Sequence, residues 1–280
     1  MIIMNRPAPT YHRQRFLLFF LEQAGHISPT DFQQLLFLSH QETSLSYYDS
    51  VRCGDNYLSF QAISDLEVLE QKGWIISTEN TISLKDQPYL GDGAKKEERW
   101  LISRWVRDYK DLVGKSLTEL INERYPNNVL QNYSQSDKDL FTIGYEGLSL
   151  ERYLTKLIQN NINVLYDLRR NPLSRKFGFS KGVLSKTLPK FGIEYRHIPE
   201  LGITSQKRQH LNSESDYVEL FDEYRDSLSE KKIYLQELIL TLHEGNRIAL
   251  TCFEEKPKSC HRHCVSEYLS NHLSVGVAHL

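Results

Sequence analysis

From residue 140 onward, short apolar runs alternate with helical stretches of about a dozen residues, and this alternation constrains the fold more than any other feature of the chain. "LFTIGYEG" (140–147), "INVLYDLRRNP" (162–172), "EYRHIPELG" (194–202) and "RIALTCFE" (247–254) read as strands. Between them lie "SLERYLTKLIQNN" (149–161), "KGVLSKTLPKFG" (181–192), two helical segments over 215–244, and a last helix from about 260. Such alternation implies βαβ crossovers, hence an α/β unit with a mostly parallel sheet covered by helices, a Rossmann-like layering. In these sheets ligands gather beyond the C-terminal ends of the strands. The strand ends carry Gly144, Tyr145 and Glu146, then Asp167, Arg169 and Arg170, then His197 and Glu200, then Cys252 and Glu254. One convergent polar rim is therefore expected.

The N-terminal region has a different rhythm. "RQRFLLFFLEQAG" (13–25) has helical length and stops at Gly25, and "SPTDFQQLLFLSHQ" (28–41) opens on Ser28 as a cap with Pro29 in the first turn. "SFQAISDLEVLEQKG" (59–73) spaces Phe60, Ile63, Leu66 and Leu69 for one helix face, and "WIISTENTISL" (74–84) reads as two short strands around a turn. Three helices and a hairpin amount to a winged helix-turn-helix, with a small helical packing domain as the alternative. The expected organisation is a winged-helix-like domain over 1–88, a helical linker over 89–138 and the α/β domain over 139–280.

Composition excludes several classes. With 280 residues, 40% hydrophobic and 25% charged, the chain can bury two modest cores and has no signature of disorder. A net charge of -2 argues against whole-chain attraction to nucleic acid but permits a local basic patch. The run "FLLFFL" (16–21) is too short to span a bilayer, and "EQAGHISP" is a poor cleavage site, so no membrane association and a cytoplasmic location are expected. Three of the four cysteines fall between 252 and 264, a local cluster and not a disulfide framework.

Each rim motif suggests a role. "GYEG" (144–147) is a tight turn before a helix, suited to close backbone approach to a phosphate by Gly144, with Tyr145 beside it, but it is neither GxGxxG nor a Walker loop. "DLRRNPLSRKFGFSK" (167–181) concentrates Arg169, Arg170, Arg175, Lys176 and Lys181 around Ser174, Phe177 and Phe179, a mixture that suits phosphate and base recognition. A solvated basic loop is the plainer alternative, as a packed His is for His197. Asp167, His197, Glu200 and Glu254 are acid–base candidates, with Asp167 alternatively orienting a neighbouring Arg or accepting a ligand hydroxyl.

Cys260, His261 and Arg262 are expected near a helix N-terminus, where the dipole favours an anion. Cys260 is then a candidate nucleophile with a lowered pKa, His261 a catalytic neighbour, and Arg262 a phosphate ligand; equally, His261 and Arg262 bind a substrate phosphate while Cys260 only packs. Cys252, Cys260, His261, His263 and Cys264 are all metal-ligand types. Because no C-x-x-C pair is present and Cys252 lies on another element, no metal ligands and no cofactor are expected, with zinc at this cluster as the lesser alternative.

Positions 141–270 resemble the family called domain of unknown function 488. The motifs that carry the resemblance are "TIGYEG", "DLRRNPLSRKFGFSK", "YRHIPELG" and "LTCFEEKPKSCHR", in that order. The resemblance implies that Gly144, Tyr145, Asp167, Arg169, Pro172, Ser174, Arg175, Phe177, His197, Pro199, Glu200, Cys252, Glu254, Cys260, His261 and Arg262 form this chain's copy of the family signature. It implies no reaction. The N-terminal segment "YYDSVRCGDNYLSFQAISDLEVLEQKGWI" resembles winged-helix domains that accompany bacterial defence and toxin–antitoxin proteins.

The expected function is binding of a nucleotide or a nucleic-acid phosphate at the rim, with hydrolysis or transfer at a phosphoester or N-glycosidic bond. DNA or RNA is a further expected partner through the winged helix. A non-enzymatic ligand sensor that regulates transcription, or a defence-system interaction protein, is the alternative.

Overall fold

A computed structural model of the chain describes residues 9–86, 96–112, 114–126, 139–204, 206–208 and 213–280. They fall into two compact units, residues 1–127 and 128–280.

The first unit opens with α1 (His12–Ala24) and α2 (Pro29–Glu42). In α1, Phe16, Leu17, Leu18, Phe19, Phe20 and Leu21 are all buried. A helix that is apolar on every side belongs inside a core, and this one is the centre of its unit. Ser28 caps α2 by accepting the Asp31 N–H at 3.0 Å, with Pro29 in the first turn. The hairpin β1 (Val51–Cys53) and β2 (Asn56–Leu58) turns on Gly54 and Asp55, and α3 (Phe60–Gln71) follows behind the cap Ser59. A second hairpin joins β3 (Ile75–Ser77) to β4 (Ile82–Leu84), and Ile27 bridges Ile82 in antiparallel fashion.

Three helices followed by a hairpin are thus present, with β1–β2 as an insertion between the second and third helices that the sequence reading did not include. Helices α4 (Lys96–Tyr109) and α5 (Lys115–Arg124) bury Ile102, Trp105, Val106, Leu117 and Ile121 in the same core, so the described part of the segment read as a linker packs within this unit.

The second unit is an α/β layer structure built on five parallel strands. These are β5 (Leu140–Gly144), β6 (Val164–Asp167), β7 (Glu194–His197), β8 (Ile248–Cys252) and β9 (Val277–His279), in the order β7-β6-β8-β5-β9. Every pairing is parallel. Helices α6 (Leu150–Gln159), α7 (Lys181–Thr187), α8 (Glu214–Ser227), α9 (Lys232–His243) and α10 (Arg262–Leu273) cover the sheet. Val164, Tyr166, Ile248 and Leu250 enter the core shared with α8, α9 and α10. On the alternate residues, Thr251 meets Tyr153 of α6, whose hydroxyl donates to the Thr251 hydroxyl at 2.8 Å. Such two-sided burial accounts for the continuous apolar runs of the central strands.

The edge strand β9 lies beyond the last helix read from the sequence. Its three residues pair with Leu140–Thr142, and the Leu280 N–H donates to the Thr142 carbonyl at 2.9 Å. The connection from β5 passes over β8 to β6, and that from β8 passes over β5 to β9, so the chain leaves the two central strands in opposite directions. The crevice at the ends of β5 and β8 is a topological switch point, where this class of sheet binds ligands. None of the described helices is long and apolar enough to cross a membrane.

Candidate functional site

The register brings the expected residues to one rim. Gly144 pairs with Cys252, and Asp167 pairs with both Thr251 and His197. A Cβ at Gly144 would lie 1.8 Å from the Glu254 carbonyl oxygen, so only glycine lets the loop after β8 cross the end of β5. Arg262 holds that loop from behind. It is 1% exposed, and its guanidinium donates to the carbonyls of Glu254 and Glu255, the latter at 2.8 Å.

Several side chains expected to meet substrate are instead spent inside the protein. Asp167 is 0% exposed and accepts from Arg169 Nε at 2.8 Å, Arg169 Nη2 at 2.6 Å, the Arg169 N–H at 3.1 Å and the Tyr195 hydroxyl at 2.7 Å. Four donors saturate a carboxylate, so of its expected roles Asp167 takes that of orienting a neighbouring Arg, Arg169, and not that of an acid–base group. Arg169 also donates from Nη1 to the Tyr145 hydroxyl at 2.9 Å and to the Phe179 carbonyl at 2.7 Å. Burial disfavours its charge, but the hydrogen bonds and charge of Asp167 outweigh that and raise its pKa. Arg262 is therefore a structural guanidinium, a correction to its reading as a phosphate ligand, and Arg169 is held by Asp167, Tyr145 and Phe179 where it borders the cleft.

The aromatic wall is likewise shifted by two residues. Phe177 is exposed, whereas Phe179 is fully buried and stacks on Tyr145 with centroids 4.4 Å apart. Phe253 closes on the same Tyr145 edge-on at 5.3 Å.

Cys260 departs furthest from expectation. It precedes α10 in an extended conformation, is 1% exposed, and burial pushes its thiol pKa well up, so it is not the activated nucleophile read from its helix position. Its sulfur meets another group the sequence left apart. His261 Nδ1 lies 3.8 Å from Cys260 Sγ and 3.9 Å from Cys252 Sγ, and the three ligand atoms all lie within 4.8 Å of one another. His261 Nε2 is 3.1 Å from the Leu168 carbonyl, which can only accept, so Nε2 carries the proton and Nδ1 turns its lone pair to the sulfurs. Cys252 is thus near Cys260 and His261 despite lying on another element. His263 faces the other way, its Nδ1 donating to the Cys260 carbonyl and its Nε2 accepting from Arg225 at 3.1 Å. Burial raises the Cys264 thiol pKa to about 12.

His197 is positioned by the basic loop. Its Nε2 donates to the Arg169 carbonyl at 2.9 Å, and Nδ1 accepts from Lys181 at 3.1 Å. Glu200 is half-buried in the turn Pro199–Leu201. Neither of them, nor Glu254, lines the cleft.

The cleft itself has a volume of about 440 Å³ and sits over the switch point. It is lined by Tyr145, Arg169, Ile203, Cys252, Phe253 and the loop residues Arg170, Asn171, Leu173, Ser174, Arg175 and Lys176. Among the described residues, four cationic side chains and no carboxylate are in that lining. Arg175 and Arg170 are exposed, and Ser174 Oγ accepts the Lys176 N–H at 3.1 Å. Lys176 donates to the Tyr145 carbonyl at 2.9 Å, and burial lowers its pKa. Arg170 and Lys176 were read only as members of the basic run in 167–181, and Phe253 was not singled out. The density of basic residues in 167–181 was the available signal for the first two.

Residues 149–269 match the family described as Domain of unknown function DUF488. That span contains three of the four motifs, with "TIGYEG" just before it. Neither a curated protein nor a solved structure matches the chain. The family's description names no activity, so the chemistry rests on the site.

Proposed function

From a DUF488 domain with this rim, we propose that the second unit binds a phosphate-bearing ligand, a nucleotide or the phosphate of a nucleic-acid end, in the cleft over β5 and β8. The observation that carries the reading is the lining: Arg170, Arg175 and Lys176 with the Ser174 hydroxyl, beside Tyr145 and Phe253, and among the described residues no carboxylate to repel an anion. Guanidinium forks suit phosphate oxygens, and aromatic walls suit a base or sugar. Asp167 acts one layer below, and through Arg169 on the lining it fixes the loop that presents the exposed cations. The reaction class to assay is hydrolysis or transfer at a phosphoester or N-glycosidic bond.

A second reading, ligand sensing without turnover, is favoured by one observation. No carboxylate or imidazole lines the cleft, so the acid–base pair that such a reaction needs is absent from its lining among the described residues. Thermal unfolding in the presence of inorganic phosphate, nucleoside phosphates and a 5′-phosphorylated oligonucleotide tests binding. Stabilisation that grows with ligand concentration is expected. The absence of any shift across the panel would remove the reading.

For the first unit, the bridge from Ile27 to Ile82 adds a third β segment beside the hairpin, which supports the winged-helix reading. Helix α3 and the β3–β4 hairpin are the surfaces a winged helix lays on DNA, yet they carry Glu67, Glu70 and Glu79 and no Lys or Arg. Winged helices that touch DNA do so largely through phosphates, so this acidity favours a protein partner, consistent with an interaction role in a defence system.

A further inference from the structure

We propose that Cys252, Cys260 and His261 form a three-ligand site for a divalent transition-metal ion, zinc by its donor set, with the remaining coordination position turned to the rim cleft. The three residues come from distinct pieces of backbone: the end of β8, the residue after the turn Pro257–Ser259, and the cap of α10. All are buried, at 2%, 1% and 1% exposure.

Their separations carry the assignment. An ion about 2.3 Å from a thiolate sulfur and about 2.0–2.1 Å from an imidazole nitrogen at tetrahedral angles holds the two ligand atoms roughly 3.6 Å apart. The observed distances from His261 Nδ1 to the two sulfurs, 3.8 and 3.9 Å, differ from that by a few tenths of an ångström. The imidazole is also oriented as a ligand should be. Its Nε2–H is anchored on the Leu168 carbonyl at 3.1 Å, the outer partner that fixes the tautomer and aims the other nitrogen at the metal.

The loop between the two cysteines is held in place independently. Arg262 binds the carbonyls of Glu254 and Glu255, and the close backbone crossing at Gly144 fixes the same residues from the other side. Seven residues separate Cys252 from Cys260, a spacing outside the short C-x-x-C motif, so the fold and not the local sequence brings the sulfurs together. Two thiolates and one imidazole are soft to intermediate donors, a set that suits zinc and disfavours magnesium or calcium.

Three protein ligands leave one position of a tetrahedral ion open, the arrangement of catalytic rather than structural zinc. Cys252 contributes to the cleft lining, so that position borders the same space as Arg175 and Lys176. A water or phosphoryl oxygen is the natural fourth ligand. This last step rests on the anion-binding reading, whereas the metal site itself does not.

The test is metal analysis of the full chain, produced without a metal-affinity tag and dialysed free of loose ions, followed by cobalt reconstitution of the chelated protein. The expected result is one zinc per chain and, with cobalt, a thiolate-to-metal charge-transfer band in the near ultraviolet. Cys252→Ser and His261→Ala lose zinc and band, while Cys264→Ser and Cys53→Ser retain both. Absence of zinc and of the cobalt band in wild-type protein with native circular dichroism overturns the proposal, as does a Cys252–Cys260 disulfide in the isolated chain or full zinc retention by a folded Cys252→Ser variant. Inorganic phosphate binding measured on the chelated protein separates the two ideas, because the cationic loop does not require the metal.

Discussion

Asp167 and Arg169 close a bidentate ion pair across a single intervening residue, at 2.8 and 2.6 Å, in a position where the carboxylate has no exposure and the guanidinium has 6%. The pair makes the turn out of β6 a rigid element. Tyr195, Tyr145 and the Phe179 carbonyl complete its hydrogen bonds, so the start and middle of the basic loop are tied to three strand ends.

Removing one partner of that pair strands the other in a dry site. Asp167→Asn is expected to lower stability by about 3–5 kcal/mol, whereas the double replacement Asp167→Leu with Arg169→Met loses much less. Urea unfolding of both variants checks this. Equal stability of Asp167→Asn and wild type would contradict the structural role given to Asp167.

Gly144 is the only residue type that fits beneath the loop after β8. Gly144→Ala puts a methyl 1.8 Å from the Glu254 carbonyl oxygen, and because backbone must move to relieve it, a loss of about 1–3 kcal/mol is expected. The same variant should weaken anion binding, since Phe253 lies in that loop and lines the cleft. A variant with wild-type unfolding and binding would show that the loop does not cross there.

Lys176 gives the cleft a pH signature. Burial lowers its pKa below the usual lysine range near about 10.4, so its charge is lost at a lower pH than that of a surface lysine. The protonated form is the anion binder; affinity for inorganic phosphate should therefore be full at lower pH and fall as pH rises through the lowered pKa. Comparison with Lys176→Arg, which stays charged, isolates the effect. Identical alkaline profiles for the two proteins would refute it.

The acidic face of the first unit leads to a negative expectation for DNA. A duplex with both ends closed by hairpin loops, which offers no terminal phosphate to the cleft, should not bind at low salt. Gel mobility shift measures this. Tight binding that decays steeply with added salt would instead show a phosphate-contacting surface on the chain.

The sheet and its rim were legible because period and length carry that information: four apolar runs separated by helix-length segments leave few topologies. The edge strand β9 was not, since "VAH" (277–279) is three residues long and acquires strand character only by pairing with β5. The β1–β2 hairpin did leave a signal in the Gly54-Asp55 pair between "VRC" and "NYL", a turn chemistry overlooked amid the surrounding tyrosines. At the site, residue types located the rim but did not reveal which charges look outward. Arg169 and Arg175 are alike as residue types, and the fold shows that Asp167 neutralises the first while the second faces solvent. Phe177 and Phe179 differ in the same way, separated by Gly178, whose φ of +89° turns the second ring inward onto Tyr145. The proximity of Cys252 to Cys260 and His261 depends on a loop crossing that no local spacing encodes.

The most direct measurement of the central claim is calorimetric titration of the intact chain with inorganic phosphate and a nucleoside phosphate, beside the variant Arg175→Glu with Lys176→Glu. These two side chains lie on the cleft and outside the Asp167–Arg169 pair, so the variant keeps its fold. Saturable binding by wild type, weakened by about tenfold or more in the variant, is the predicted result. Binding of equal strength in both proteins, or no binding in either, would contradict a phosphate-recognition site at this rim.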